Sequence, residues 1–190
     1  MAQISTERII LGIDPGTTHM GFALIEVINK KCKVLTLGTL HLNKVIGQPN
    51  KLKRIFEKVL ALIEEYHPDE LAIEAPFFGK NVQSVLKLGR AQGVAMAAAL
   101  FRQIPLTEYQ PTQIKLAITG NGQASKEQVA AMLVHLLGQN FDNEKLDATD
   151  ALAVAMCHHL KKQLPLNTQK GISGSGWNAF IKDNPERLKK

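Results

Sequence analysis

Four acidic residues stand where the sequence pattern predicts that buried elements begin or end. Asp14 ends an apolar run over 8–14, and Glu74 closes a second apolar run over 69–75. If these runs are neighbouring parallel strands, their carboxyl ends lie about 4.8 Å apart, at the edge where open α/β sheets bind ligands. Two carboxylates at such an edge repel each other unless one is protonated or a cation neutralises both.

Asp147 and Asp150 complete the acidic set. In the segment DATDALAVAM they are three residues apart, so they share one face in the first turn of a helix whose later residues are apolar. Four carboxylates from three elements suit Mg²⁺, and two such ions about 3.5–4 Å apart would hold the attacking and leaving oxygens of a phosphodiester. Taken singly, Asp14 is as well explained as a turn residue, and Asp147 as a helix cap. Only the four together predict a metal site.

The elements that must position these acids follow from hydrophobic periodicity. Two-residue alternation or short apolar runs predict strands, and an apolar stripe at helical spacing predicts helices. The predicted strands are 8–14, 19–28, 32–42, 69–75 and 105–110; the predicted helices are 49–66, 82–103, 112–119, 126–137 after the cap Ser125, and 146–163. This order predicts an α/β protein with a mixed five-stranded sheet and helices on both faces, which is the order of the ribonuclease H-like fold.

Composition bounds the function classes. A chain of 190 residues with 45% hydrophobic and 21% charged residues is an ordinary globular protein. We expect one domain over 1–163 and a basic, flexible tail over 164–190, because residues 161–190 carry seven basic and two acidic residues. No window predicts a membrane helix or a signal peptide, and two distant cysteines fit a reduced cytoplasm.

Four segments resemble those of RuvC-type Holliday junction resolvases. They are ILGIDPGTTHMGFALIE, LAIEAPFFGKN, VLKLGRAQGVAMAA and DATDALAVAMCHH, and the similarity runs in order over about 8–160. The resemblance implies a homodimer that resolves four-way DNA junctions by paired, symmetric, metal-dependent nicks in recombination and repair. It implies two Mg²⁺ per site, with Mn²⁺ as a substitute, and the RuvA–RuvB branch-migration complex as a partner. It also implies that Asp14, Glu74, Asp147 and Asp150 are the catalytic, metal-binding acids.

The resemblance extends to basic and aromatic residues. It implies that Lys115 and Lys126 assist at the scissile phosphate, and that Phe77, with Phe78 as a neighbouring candidate, contacts the junction centre. Phosphate contacts are expected from Lys80, Lys87 and Arg90. Each of these side chains has an ordinary explanation too: an isolated basic residue as a solvated surface charge, the two phenylalanines as core.

Other features leave alternatives open. The small residues of helix 82–103 predict that the core or a second subunit covers it, and the six histidines form no convincing metal-ligand set. Trp177 in the tail could contact the body or DNA. Three other functions remain: a phosphate-loop ATPase or kinase-like protein suggested by GIDPGTTHMG, a related nuclease acting on RNA, and a non-catalytic junction-binding module. A chain of one domain argues against the kinase, and four acids facing phosphate without metal argue against the module.

Overall fold

The structure, a computed structural model, describes residues 7–29, 31–77, 81–141 and 146–163. The predicted tail over 164–190, with Trp177, lies outside the described residues, as do Phe78 and Lys80. Within the described ranges the strands are β1 (Glu7–Asp14), β2 (His19–Ile28), β3 (Lys31–His41), β4 (Glu70–Glu74) and β5 (Leu106–Tyr109). The helices are α1 (Gln48–Tyr66), α2 (Val82–Phe101), α3 (Pro111–Thr119), α4 (Lys126–Leu137) and α5 (Leu146–Gln163).

The strands form one mixed sheet in the order β3-β2-β1-β4-β5. The first three strands are an antiparallel meander, whereas β1–β4 and β4–β5 pair in parallel. Parallel pairing requires a crossover between the strands, which α1 provides before β4 and α2 provides before β5. The predicted element order and the mixed five-stranded sheet are confirmed, with element ends that shift by one or two residues.

Helices cover both faces of the sheet, as predicted. On one face α1 and α2 bury Leu11, Ile13 and Leu24. On the other face α3, α4 and α5 bury Ile10, Ala23 and Ile25. Neighbouring residues of β1 and β2 therefore point alternately into the two cores, so these strands are buried on both faces. This explains why their sequences are continuously apolar.

The helix ends carry the signals expected from the sequence. Ser125 caps α4 in a reciprocal pair with Gln128, and α4 ends at Gly138 with a φ of 63°. Along α1, Ile55, Val59, Leu62 and Ile63 are buried in one apolar stripe. None of the helices in the described part of the chain is long and apolar enough to cross a membrane.

The far end of α5 is anchored to the starts of β1 and β4. The partly buried Glu70 carboxylate pairs with His158 and Lys162, and Arg8 lies 3.8 Å away. The Tyr109 hydroxyl is 2.8 Å from His158 Nδ1. His158 and His159 are both 2% exposed, so they belong to the core, one of the two places that the sequence allowed for them.

Candidate active site

The first two predicted acids meet at the carboxyl end of the sheet. Ile13 pairs with Ile73 in the parallel β1–β4 ladder, so the next residues, Asp14 and Glu74, lie side by side where both strands end. Each follows a run of fully buried residues, and each is itself only partly accessible. The strand ends therefore deliver two partly desolvated carboxylates to one edge of the sheet.

Two glycines bring the remaining acids to this edge. A methyl group added at Gly12 on β1 would lie 2.3 Å from the Ala151 carbonyl oxygen, and one at Gly21 on β2 would lie 1.9 Å from the Asp147 carbonyl oxygen. Such distances are far inside van der Waals contact, so any side chain at either position would push α5 off the sheet. Because both positions are glycine, the first turn of α5 lies directly against β1 and β2.

Three aspartates converge as a result. One carboxylate oxygen from each of Asp14, Asp147 and Asp150 lies within 4.8 Å of the others. Glu74 stands outside this group but lines the same cleft as Asp14 and Asp150. The cleft has a volume of about 400 Å³. Asp147 lies on the β2 side, where its Oδ2 is 3.9 Å from His19 Nδ1.

The cleft also collects the two predicted lysines and one predicted aromatic. Lys115 from α3, Lys126 from α4 and Phe77 after β4 all line it; the other lining residues are Pro111, Thr112, Ile114, Gly122, Gln123, Val129 and Ala153. Phe77 is 70% exposed, which removes the core explanation for this side chain. An exposed aromatic at the mouth of an acidic cleft is available to stack on a planar ligand.

Burial and mutual repulsion raise the pKa of two acids. Burial, reinforced by Glu74, Asp150 and Asp147, raises the pKa of Asp14 to about 8. Burial and Asp150 raise the pKa of Glu74 to about 7, against the lowering effect of Lys126 and Lys115. The cleft therefore holds more negative charge than its lysines neutralise, which favours binding of a proton or a cation.

Lys126 partly compensates this charge. Its Nζ donates to Asp150 Oδ2, and the side chain is about half exposed. Burial lowers its pKa, but the hydrogen bond to Asp150 and the nearby Asp14 and Asp147 outweigh burial and raise it. A cation in the first turn of a helix is disfavoured by the helix dipole, so the position of Lys126 serves the carboxylates rather than α4.

The donor set fits a hard divalent cation. Within the described residues the grouped ligand atoms are all carboxylate oxygens, which Mg²⁺ and Mn²⁺ prefer, whereas Zn²⁺ favours imidazole and thiolate. The raised pKa values of Asp14 and Glu74 mean that ionising these carboxyl groups is unfavourable in the cleft. A bound cation would lower both pKa values again. The residues present therefore fit the predicted metal.

The remaining predicted contacts lie elsewhere. Lys87 and Arg90 are exposed on α2 and do not line the cleft; Arg90 borders a neighbouring groove with Pro76 and Glu108. Sequence reasoning missed Gly12, Gly21 and His19. The signal for the glycines was present, because Gly12 and Gly21 interrupt strands that are otherwise filled by large apolar residues.

Residues 10–158 match the family model described as crossover junction endodeoxyribonuclease RuvC. The chain belongs to the RuvC family. Among curated members, the protein from Christiangramia forsetii is 58% identical over 186 residues, covering 98% of this chain and 95% of that protein. The Bacteroides fragilis member is 58% identical over 193 residues and covers both chains completely.

Solved structures similar to this chain include a RuvC protein and a further Holliday junction resolvase. T. thermophilus RuvC in complex with Holliday junction substrate is 30% identical, with a TM-score of 0.76 over 82% of this chain and 95% of that chain. A yeast mitochondrial Holliday junction resolvase, 15% identical with a TM-score of 0.58, shares the fold. The ribonuclease H-like fold predicted from the element order is thereby confirmed, and so is the RuvC resemblance.

Proposed function

We propose that this chain cuts Holliday junctions by Mg²⁺-dependent hydrolysis of phosphodiesters, with Asp14, Glu74, Asp147 and Asp150 as the acids that hold the metal. The observation that carries the proposal is the convergence of carboxylate oxygens from Asp14, Asp147 and Asp150 within 4.8 Å, with Glu74 lining the same cleft as Asp14 and Asp150. The same four residues were predicted from sequence. Mn²⁺ would substitute, because it accepts the same oxygen ligands.

The acids and lysines divide the work. When bound, two divalent ions activate a water and neutralise the leaving oxygen in this class of hydrolysis. Asp14 lies close to both helix aspartates and beside Glu74, so it would be a metal ligand together with each of them. Lys115 and Lys126 line the cleft and donate to phosphate oxygens. The Lys126 ammonium group donates to Asp150, so it lies beside the acids that would hold the metal and in the cleft that would receive the phosphate.

Phe77 supplies a contact with an unpaired or distorted base at the junction centre. Its exposure at the mouth of the cleft supports this role. Loss of one base–aromatic stack costs about 1–3 kcal/mol, so we expect Phe77→Ala to lower junction cleavage about 5–150-fold with Mg²⁺ binding unchanged. Single-turnover cleavage and calorimetry measure the two effects. Ile46→Ala, at a residue that is 88% exposed, is the control; an equal loss there contradicts the role.

A homodimer would place two clefts on one junction. A four-way junction is nearly two-fold symmetric, so a two-fold dimer gives symmetric cuts by geometry. The exposed face of α2 is our proposed dimer surface because it presents large apolar side chains; these are Val82, Leu86, Leu100 and Phe101, 50–67% exposed. Lys87 and Arg90 on the same helix would contact junction phosphates, and the RuvA–RuvB complex would be a partner.

A nicking assay on a synthetic immobile four-way junction tests the function and its site together. We expect symmetric cuts in Mg²⁺, no cuts in EDTA, and loss of cutting in Asp14→Asn and Asp147→Asn. Both variants should still bind the junction in EDTA, because each substitution removes one negative charge and leaves the fold intact. Junction binding without cutting by the wild type, across junctions of varied sequence, would instead establish a binding module.

A further inference from the structure

Gln92 is a buried amide beside the catalytic end of β4. It lies on α2 and is 6% exposed. Its Nε2 is 3.2 Å from the backbone carbonyl oxygen of Glu74, and the same nitrogen also donates to the Glu108 carboxylate on β5. An amide nitrogen carries two hydrogens, so Gln92 satisfies both acceptors at once.

The Glu74 carbonyl needs a donor from outside the sheet. The Ala75 N–H donates to the Tyr109 carbonyl on β5 at 2.9 Å. In a trans peptide the Glu74 carbonyl then points the opposite way, towards β1. The parallel register places Glu74 opposite Asp14, so the next ladder donor would be residue 15. That residue is Pro15, which has no N–H.

Glu108 decides which way the Gln92 amide points. With the amide reversed, its oxygen would face the Glu108 carboxylate and the Glu74 carbonyl, which places three acceptors together without a hydrogen. The observed orientation places donors against both acceptors. Glu108 on β5 therefore holds the Gln92 amide in the orientation that donates to Glu74.

We propose that Gln92 is a positioning residue for Glu74, and that Glu108 positions Gln92. By binding the carbonyl of Glu74 where Pro15 cannot, Gln92 fixes the peptide plane after Glu74 and with it the direction in which the Glu74 carboxylate enters the cleft. This role rests on the proposed metal site, because the property it controls is the capacity of Glu74 to act as a ligand. Partners that orient metal ligands typically change metal affinity or activity about 10–100-fold when removed.

A swapped pair separates positioning from simple packing. Gln92→Glu alone sets a carboxylate against Glu108 and the Glu74 carbonyl, which should destabilise the fold. Adding Glu108→Gln restores a hydrogen bond between the two side chains but supplies no donor from position 92 to Glu74. Gln92→Met, which is unbranched like glutamine, removes both donors with little change of shape. Gln83→Met, at an exposed residue of the same helix, is the control.

The readouts are Mg²⁺ affinity by calorimetry without DNA, junction binding in EDTA, melting temperature, and the Mg²⁺ dependence of cleavage. We expect the swapped pair to recover the melting temperature lost in Gln92→Glu, yet to bind Mg²⁺ about 10–100-fold more weakly than the wild type. Gln92→Met should show the same weakening, with junction binding unchanged in both. Cleavage should require correspondingly more Mg²⁺.

Two outcomes overturn the positioning role. Wild-type Mg²⁺ affinity in the swapped pair, or in Gln92→Met should the pair fail to fold, shows that the bond to the Glu74 carbonyl is dispensable. An equal loss in Gln83→Met shows an unspecific effect of altering α2. A wild-type protein that itself binds no Mg²⁺ and cuts no junction is a different result, because it removes the proposed function and the positioning role with it.

Discussion

At Asp14, burial and three neighbouring carboxylates act in the same direction, and the folded metal-free protein holds a proton there more tightly than the unfolded chain does. The positive charge of Lys126, which also donates to Asp150, acts in the opposite sense and lowers the pKa of Asp14. The clustered carboxylates thus lower the stability of the fold when no cation is bound, and they favour the binding of a cation. Both effects can be measured by substituting one residue at a time.

The first consequence concerns pH. The pKa of Asp14 rises from an ordinary 3.8 to about 8 on folding, so its effect on stability is smallest below pH 4 and becomes increasingly unfavourable as pH rises towards 8. We expect Asp14→Asn, in EDTA, to melt close to the wild type near pH 4.5 and above it near pH 8. Each kcal/mol gained should appear as about 2–4 °C.

The comparison must be a difference between variant and wild type. Hydrogen bonds from Lys162 and His158 outweigh burial and lower the pKa of Glu70, and burial lowers the pKa of His158. Both groups lose stabilising effect as pH falls, which opposes the trend from Asp14. Subtracting the two melting curves cancels this shared contribution. A difference that is the same at every pH would contradict the role assigned to Asp14.

Lys126→Met separates binding of metal from use of it. Because Nζ donates to Asp150, a proposed metal ligand, we expect this variant to bind Mg²⁺ as tightly as the wild type or more tightly. Cleavage should still fall about 100–1,000-fold, because a donor to the phosphate is lost. Calorimetry gives the first quantity and single-turnover kinetics the second. Weaker Mg²⁺ binding in the variant would show instead that Lys126 helps to assemble the metal site.

At the scale of elements, the docking of α5 on β1 and β2 decides where Asp147 and Asp150 lie. Gly12 and Gly21 permit the contact near the site, and the Glu70–His158 pair anchors the other end of the helix. The helix is therefore held along its length, and its first turn has little freedom to drift. The geometry of the acids depends on packing that lies outside the cleft.

Gly12→Ala should disturb that packing. Its methyl group would meet the Ala151 carbonyl and the Ala155 side chain, so we expect destabilisation of at least about 1–3 kcal/mol and weaker Mg²⁺ binding. Thermal melting and calorimetry measure these. Gly38→Ala is a matched strand control, because its methyl group would meet the Phe22 ring, which belongs to the core on the α1 and α2 side of the sheet, and not α5. Equal Mg²⁺ affinity in both variants would refute the dependence of the site on this contact.

At the scale of the whole molecule, the site lies at one end of the sheet while α2 presents an apolar face to solvent. The buried side of α2 packs through Ala91, Ala95, Ala98 and Ala99. On the open side, nothing lies within 4 Å of a methyl group added at Gly89 or Gly93. The core thus covers one face of α2, as predicted. We propose that a second subunit covers the other face.

Gly93→Asp tests the proposed subunit contact. Gly93 lies on the open face of α2, so a carboxylate there would be buried between the two subunits, and we expect a monomer by sedimentation at micromolar concentration. On a cruciform plasmid the monomer should leave nicked circles, whereas the wild type, cutting in pairs, should give linear DNA. Ile46→Asp, at an exposed site away from α2, should stay dimeric. A dimeric Gly93→Asp protein that still yields linear DNA would place the interface elsewhere.

The order of elements, the mixed sheet and the four acids could all be predicted from sequence, because each depends on local pattern. A strand buried on both faces reads as an apolar run, and a carboxylate at its end stands out against it. Lys126 and Phe77 were identified as candidates through the family resemblance of their segments. Joining the four acids into one metal site needed a further premise, that the strands ending in Asp14 and Glu74 are parallel neighbours.

Contacts between segments far apart in the chain required the tertiary structure. The pairing of Lys126 with Asp150, the fit of Gly12 and Gly21 under α5, and the bond from Gln92 to Glu74 each join distant residues. Their energies depend on distances of a few tenths of an ångström and on hydrogen-bond direction, which local pattern does not encode. Residue types therefore predict which chemistry is available, whereas packing decides how the four carboxylates are aimed and how strongly they repel one another.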